Sequence, residues 1–288
     1  MPIRRIRRSL GRYLRRRLTE PTGPSATWNV VCPGETHSWS GRTVAITGAA
    51  GLLGSETAAA FVRCGAIVHA IDIRADALND LVARHGDRVI PHEADLADAE
   101  QVQRVALNLA SQSKSLAALV HCVGYNDYPT SSRSISEESW QRVLAVNLIA
   151  PALVTEALAP LLSGVRSAGV VMLTSVNGRV PSPWPHYAAA KAGLAKLTRD
   201  LAAHLAPQAI RVNAVAPGWT EARGADSVAT HDPHAPLTRS AIPVEAVVNA
   251  VLFLADPVAS PCTTGQELVV DGGFAVADHS RLRQDFAM

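Results

Sequence analysis

The stretch Thr47-Gly48-Ala49-Ala50-Gly51-Leu52-Leu53-Gly54 constrains this chain more than any other. A short β-branched, apolar run from Thr43 to Thr47 leads into it, and helix-compatible sequence follows from Leu52 to about Cys64. Glycines at a strand-to-helix junction let the backbone turn tightly and approach a pyrophosphate, while the helix N-terminus offers N–H donors and partial positive charge. A lone glycine triplet marks any strand–helix turn. Inside the first β-α-β unit it points to a dinucleotide.

The chain repeats that alternation. Further strands are predicted at Ala66–Ile71, Val89–His92, Leu116–Val123, Gly169–Thr174, Ile210–Val215 and Glu267–Val270. Helices are predicted at 75–84, 99–110, 137–162, 187–205 and 244–254. Apolar, β-branched strands alternating with helices imply an α/β fold with a parallel sheet covered on both faces.

The chain has 288 residues, 48% of them hydrophobic and 18% charged, enough for a sizeable core and too apolar for a disordered chain. No run approaches the ~18 apolar residues of a membrane span, and no apolar segment follows the basic N-terminus as in a secretory signal. Cys32, Cys64, Cys122 and Cys262 form no C-x-x-C pair, and their scatter fits small core residues in a reducing compartment. These features point to a cytoplasmic protein.

The net charge of +2 hides an asymmetry. Residues 1–17 hold eight arginines and no acid, so the remainder carries −6. A mildly acidic body disfavours nucleic acid as a partner. Ile3, Ile6, Leu10, Leu14 and Leu18 recur at helical spacing, which makes residues 1–18 a basic amphipathic arm. Pro21, Gly23, Pro24, Pro33 and Gly34 mark residues 19–39 as a linker, and residues 40–288 as one domain. The arm admits three readings: an interfacial helix on an anionic membrane surface, an organellar presequence, or a tail without a role.

Asp72 ends the second strand, 18 residues after Gly54. A carboxylate there accepts bonds from an adenosine ribose and repels a 2′-phosphate, favouring NAD(H) over NADP(H). Arg74 stands nearby as a residue able to receive that phosphate. Asp95, after the third strand, bonds an adenine amino group or caps a helix before Ala97. Tyr187 and Lys191 lie four apart on one predicted helix face. A phenol near pKa 10 is a poor base at neutral pH, and a fixed cation favours its ionised form.

On these residues the chain resembles the short-chain dehydrogenase/reductase family, in its compact single-domain branch. The resemblance covers about residues 38–274. It includes TGAAGLLG, Asn147 in Val-Asn, Ser175 in Thr-Ser-Val-Asn-Gly, YAAAK, Pro217-Gly218, and Thr264-Gly265-Gln266 through Asp271-Gly272-Gly273. It implies a Rossmann doubly wound sheet of seven parallel strands in the order 3-2-1-4-5-6-7. It implies Tyr187 as general acid/base, Ser175 as donor to the substrate oxygen, Lys191 on the nicotinamide ribose, and Asn147 holding a relay water. Cofactor contacts would come from Gly48, Gly51, Leu52, Leu53, Gly54, Asp72, Asp95, Gly124, Tyr187, Lys191, Pro217 and Gly218. Three features depart from the branch. Leu52 occupies the middle-glycine position of T-G-x-x-x-G-x-G, His121-Cys122-Val123-Gly124 replaces N-N-A-G, and Ser175 precedes Tyr187 by 12 residues rather than 13.

The resemblance also places Tyr125, Trp184, His186 and Trp219 near substrate, each equally readable as a packing residue. It makes residues 221–242 a short polar lid suited to a small substrate. His231 and His234 in it are too few for a metal, and no metal is expected. The leading function is NAD(H)-dependent oxidoreduction of a secondary alcohol or ketone, including sugars and polyols. The alternatives are an NADP(H)-dependent 3-oxoacyl-acyl-carrier-protein reductase and a cofactor-binding regulator or scaffold without turnover. Pairing of the helices from Glu137 and Tyr187 would give a homodimer or homotetramer, or else their leucines face only the sheet.

Overall fold

The computed structural model describes residues 39–127, 135–221, 237 and 241–276. The arm, residues 19–38 of the linker, and the interior of the expected lid with His231 and His234 lie outside the described residues. Seven strands form one parallel sheet: β1 (Thr43–Thr47), β2 (Ile67–Asp72), β3 (Val89–Glu93), β4 (Ala118–His121), β5 (Gly169–Leu173), β6 (Arg211–Pro217) and β9 (Glu267–Val270). Their order is β3-β2-β1-β4-β5-β6-β9, the doubly wound order expected from the sequence. A two-residue parallel pair, β7 (Thr220–Glu221) with β8 (Ile242–Pro243), was not anticipated. It joins the two ends of the expected lid.

Helices cover both faces. α1 (Leu52–Arg63), α2 (Ala75–His85) and α7 (Val244–Ala255) lie on one side; α3 (Ala99–Gln112), α5 (Ala150–Leu162) and α6 (Pro185–Leu205) on the other. The first core layer is built on Phe61, Val247 and Val251. The second is built on Leu109, Leu158, Leu162, Leu194 and Leu205. Burial of such side chains at roughly 25 cal/mol per Å² of apolar surface drives this layering. Leu194 and Leu205, read as interface or packing residues, are buried in the core, and Leu197 and Leu201 pack partly against it.

Three details depart from expectation. Trp39, placed in the linker, is fully buried, its ring edge-on to Phe61 at 4.8 Å. Cys64 is buried but disulfide-bonded and Cys262 is free but exposed, so the reading of the cysteines as reduced core residues fails at both. The helical run Glu137–Leu162 is long and apolar enough to cross a membrane by length and composition. It instead packs on the sheet through Val154, Leu158 and Leu162. The expectation missed it because Asn147, Thr155 and Glu156 interrupt any strict apolar run.

That run is not a uniform α-helix. α4 (Glu137–Leu144) passes into α5 through a π-helical turn at Ala145–Ile149, which carries Asn147. Such bulges are rare and concentrate at functional sites.

Candidate active site

The glycine turn is shaped by close backbone approaches. Gly48 has φ +66°, and a side chain there would meet the Val123 backbone at 2.6 Å. A Cβ on Gly54 would lie 2.0 Å from the Gly48 carbonyl oxygen. The turn therefore folds against both α1 and the end of β4 only with glycine at these positions. Gly51 N-caps α1 with no side-chain hydrogen bond, and the first turn contains no acid. Its N–H groups are thus left to an acceptor from outside the helix. Leu52, at the family's middle-glycine position, is the first helical residue and 41% exposed.

A cleft of about 360 Å³ opens beyond this turn at the carboxyl ends of the strands. Gly48, Gly51, Asp72, Asp95 and Gly124 line it; Leu52, Leu53, Gly54, Tyr187, Lys191, Pro217 and Gly218 do not. Gly54 acts by letting α1 approach the turn, and Gly218 by passing close to Asp271. Glycines with no room for a Cβ, a helix N-terminus without acids and a carboxylate at the β2 end together fit a dinucleotide.

Asp72 is buried and holds the turn. Its Oδ2 accepts the Ala50 N–H at 3.0 Å, and its Oδ1 accepts the Arg74 N–H at 3.1 Å. The Arg74 side chain is half-exposed, with Nε 3.5 Å from the same carboxylate. Asp95 does not cap the following helix; Asp98 does, accepting from the N–H groups of Glu100 and Gln101. Asp95 accepts the Ala97 N–H on Oδ1 and pairs with Arg142 on Oδ2 at 3.0 Å. Arg142, absent from the sequence-based set, also lines the cleft and lies over the Tyr125 ring at 6.0 Å. Asp95 and Arg142 are 47 residues apart and share no motif, so nothing in the sequence signalled the pair.

The four expected catalytic residues come from three places: the end of β5, the head of α6 and the π-helical turn. Ser175 follows β5 and is almost wholly buried, its Oγ accepting the Asn177 N–H at 3.2 Å. Tyr187, half-buried, stands in the first turn of α6. Lys191 is one turn on, with Nζ 5.6 Å from the Tyr187 ring centroid, and donates to the Leu173 carbonyl at 2.8 Å. Burial lowers the Lys191 pKa to about 8. The Asn147 carboxamide is clamped by main chain. Nδ2 donates to the carbonyls of Tyr125 (2.7 Å) and Val143 (2.9 Å), and Oδ1 accepts the Tyr125 N–H (3.1 Å). Both amide hydrogens are thereby committed, leaving one lone pair of Oδ1 for a water.

His121 and Cys122 show how the family's asparagines are replaced. The Thr155 hydroxyl gives its proton to the Pro151 carbonyl at 2.7 Å, so it accepts from His121 Nε2–H at 2.9 Å. His121 Nδ1 then accepts from the Thr47 hydroxyl at 3.3 Å. This neutral imidazole ties β1, β4 and α5 together. Burial, then the Lys191 charge, lowers its pKa to about 3. Burial pushes the Cys122 thiol up to about 12, which keeps it protonated and inert.

Of the aromatic and histidine residues expected near substrate, Tyr125 and Trp219 are 40% and 59% exposed, whereas His186 is fully buried. Among the described residues no cluster of three or more His, Cys, Asp or Glu is placed to hold a metal.

Comparison with known proteins agrees with this geometry. Residues 48–275 match the family model described as enoyl-(acyl carrier protein) reductase. The chain is 33% identical over 246 residues to a 3-oxoacyl-(acyl-carrier-protein) reductase of Thermotoga maritima, covering 82% of this chain and 98% of that protein. It is 34% identical over 248 residues to the cis-4-hydroxycyclohexanecarboxylate dehydrogenase of Sinomonas cyclohexanicum, covering 83% and 98%. A short-chain type dehydrogenase/reductase from Mycobacterium ulcerans shares the fold at TM-score 0.76 and 23% identity, over 86% of this chain and 95% of that one. The chain belongs to the short-chain dehydrogenase/reductase family, whose chemistry is NAD(P)(H)-dependent oxidoreduction at a CH–OH or carbonyl group.

Proposed function

We propose that the protein is an NAD(H)-dependent oxidoreductase of a small secondary alcohol or ketone, such as a sugar or polyol. Asp72 carries the cofactor choice. Its buried carboxylate is fixed in the cleft wall by two main-chain N–H groups. A ribose bearing two free hydroxyls finds an acceptor there, while a 2′-phosphate meets like charge. Relatives named for polar alcohols support the substrate class: a probable galactose dehydrogenase of Rhizobium meliloti and a galactitol 2-dehydrogenase of Rhizobium johnstonii, at 33% and 31% identity.

Within this reading Tyr187 moves the proton between substrate oxygen and solvent. Ser175 donates to that oxygen as its charge develops. Lys191 holds the ribose beside Tyr187 and supplies a fixed cation. Asn147 keeps the Tyr125 main chain against the π-helical turn and offers its remaining lone pair to a relay water. Gly48, Gly51 and Gly124 would line the cofactor, with Asp72 and Asp95 toward its adenosine end. When bound, the nicotinamide supplies or accepts the hydride.

The test is paired titration of NADH and NADPH by fluorescence, then NADH absorbance against galactitol, cis-4-hydroxycyclohexanecarboxylate and an acetoacetyl-acyl-carrier-protein. Tighter NADH binding with turnover of a polar alcohol is expected. Equal or tighter NADPH binding rejects the cofactor choice and turns attention to Arg74. Turnover of the acyl-carrier substrate alone rejects the polyol reading.

We infer a homo-oligomer paired through α4, α5 and α6, where Ile149 is half-exposed beyond the core. A monomeric sedimentation profile at micromolar concentration rejects it. The arm is assigned to an anionic membrane surface only if the full chain, unlike a chain starting at Ser38, co-sediments with anionic vesicles at low salt.

A further inference from the structure

Asp127 and His186 have no task in the chemistry above, yet they meet beside Tyr187. His186 is fully buried as the second residue of α6, directly before Tyr187. Its Nε2 bonds Asp127 Oδ1 at 2.8 Å. Asp127 Oδ2 accepts from the Ser139 hydroxyl in the first turn of α4. These two bonds, Ser139 first, hold the Asp127 carboxyl below the usual carboxylate range. Two residues upstream, the Tyr125 main chain clamps Asn147. The short stretch Gly124–Asp127 is therefore bonded to the start of α4, to the π-helical turn and to the head of α6.

Two further observations make this more than packing. The head of α6 has no side-chain N-cap: Trp184 occupies the cap position without such a bond. The Asp127–His186 contact thus tethers the helix start from outside the helix. His186 Nδ1 is buried without a hydrogen-bond partner. A buried polar atom left unpaired is destabilising. A phenylalanine would fill the place beside Trp140, whose ring centroid is 5.9 Å away, without that cost. The imidazole is accounted for by the bond on its other nitrogen.

We propose that Asp127 and His186 are positioning residues that fix the head of α6, and with it the Tyr187 hydroxyl, relative to Ser175 and Asn147. The inference rests on Tyr187 being the acid/base group. A displacement of ~1 Å at a reacting group can cost 10²-fold in rate, so loosening this tether lowers kcat without removing any reacting atom.

The test compares Asp127→Ala, Asp127→Asn and His186→Phe with wild type. Amide hydrogen exchange of the segment 184–191 is read without cofactor, NADH affinity by fluorescence, and kcat and KM with NAD⁺ and galactitol or cis-4-hydroxycyclohexanecarboxylate. Asp127→Ala and His186→Phe are expected to speed exchange in that segment about tenfold and lower kcat by about 10–100-fold, with NADH affinity within about twofold. Asp127→Asn keeps an oxygen acceptor for His186 and should recover most of both. The double variant Asp127→Ala/His186→Phe should be no worse than either single change, as for two ends of one bond. Exchange unchanged in both single variants overturns the proposal. Failure of Asp127→Asn to recover either readout, or loss of NADH binding in His186→Phe, also overturns it and marks the pair as merely structural. Tyr187→Phe that keeps turnover overturns the acid/base reading and this proposal together. An inactive Tyr187→Phe beside a fully active His186→Phe overturns this proposal alone.

Discussion

Lys191 Nζ donates to the Leu173 carbonyl across 2.8 Å, joining the helix that bears Tyr187 to the strand that ends beside Ser175. The bond takes an ammonium out of water, and burial lowers its pKa from 10.5 to about 8. Between those values the unfolded chain binds more protons than the folded one. The stability contributed by this group therefore rises with pH from about 8 to 10.5, and below pH 8 the buried charge is a standing cost. Cofactor binding runs the other way, because the cation proposed to hold the ribose is lost above pH 8. NADH affinity measured by fluorescence from pH 7 to 10 should weaken above pH 8. An affinity flat to pH 10 contradicts the role given to Lys191.

Tyr187→Phe removes a transferable proton and little volume. Turnover should fall by about 10²–10⁴-fold, the usual worth of acid–base catalysis, while NADH still binds. A variant that keeps most of its turnover removes Tyr187 from the chemistry.

Three buried histidines should make the fold acid-sensitive. His69 Nδ1 bonds His92 Nε2 at 2.8 Å, and His69 Nε2 bonds the Ser113 hydroxyl at 2.8 Å. Burial, then the neighbouring His92, lowers the His69 pKa to about 4; burial also lowers His92, and His121 falls to about 3. Each has a folded pKa below its unfolded value near 6.5, so stability is lost as pH falls below about 6.5. For His69 and His121 the slope approaches about 1.4 kcal/mol per pH unit between the unfolded and folded values. Urea unfolding at pH 7, 6 and 5 should show the loss, and His69→Phe should reduce it. A flat profile would show that these sites ionise without unfolding.

Arg211 is buried at the start of β6. It donates to the carbonyls of Ser167, Leu254 and Ala255 and to the hydroxyls of Ser167 and Ser260. Arg211→Met keeps the stem but strands those carbonyls, each worth ~1–3 kcal/mol when unpaired. We expect a loss of about 3 kcal/mol or more and a melting point lower by roughly 6–12 °C. NADH affinity of the folded fraction should be unchanged. A melting point within a degree of wild type would show that water or Ser260 takes over the carbonyls.

The α/β layering and five residues of the cleft wall, Gly48, Gly51, Asp72, Asp95 and Gly124, were legible before any packing was known. β-branched runs at short, regular spacing can bury both faces only in a parallel sheet. The strict backbone approaches at Gly48 and Gly54 leave a local imprint because no other residue fits. Tyr187 and Lys191 were legible as a pair because helical spacing alone puts them on one face. Asp127 with His186 and Asp95 with Arg142 left no such imprint. So did the clamp on Asn147, the His121 bridge and the seating of Arg211. Apart from Val143, one turn before Asn147, their members are 22 to 74 residues apart, and they meet only once the strands and helices that carry them are packed. Spacing reports what one element does along its own axis. Which loop ends face each other, and which polar atoms are buried together, is decided by packing of the whole sheet and its helices.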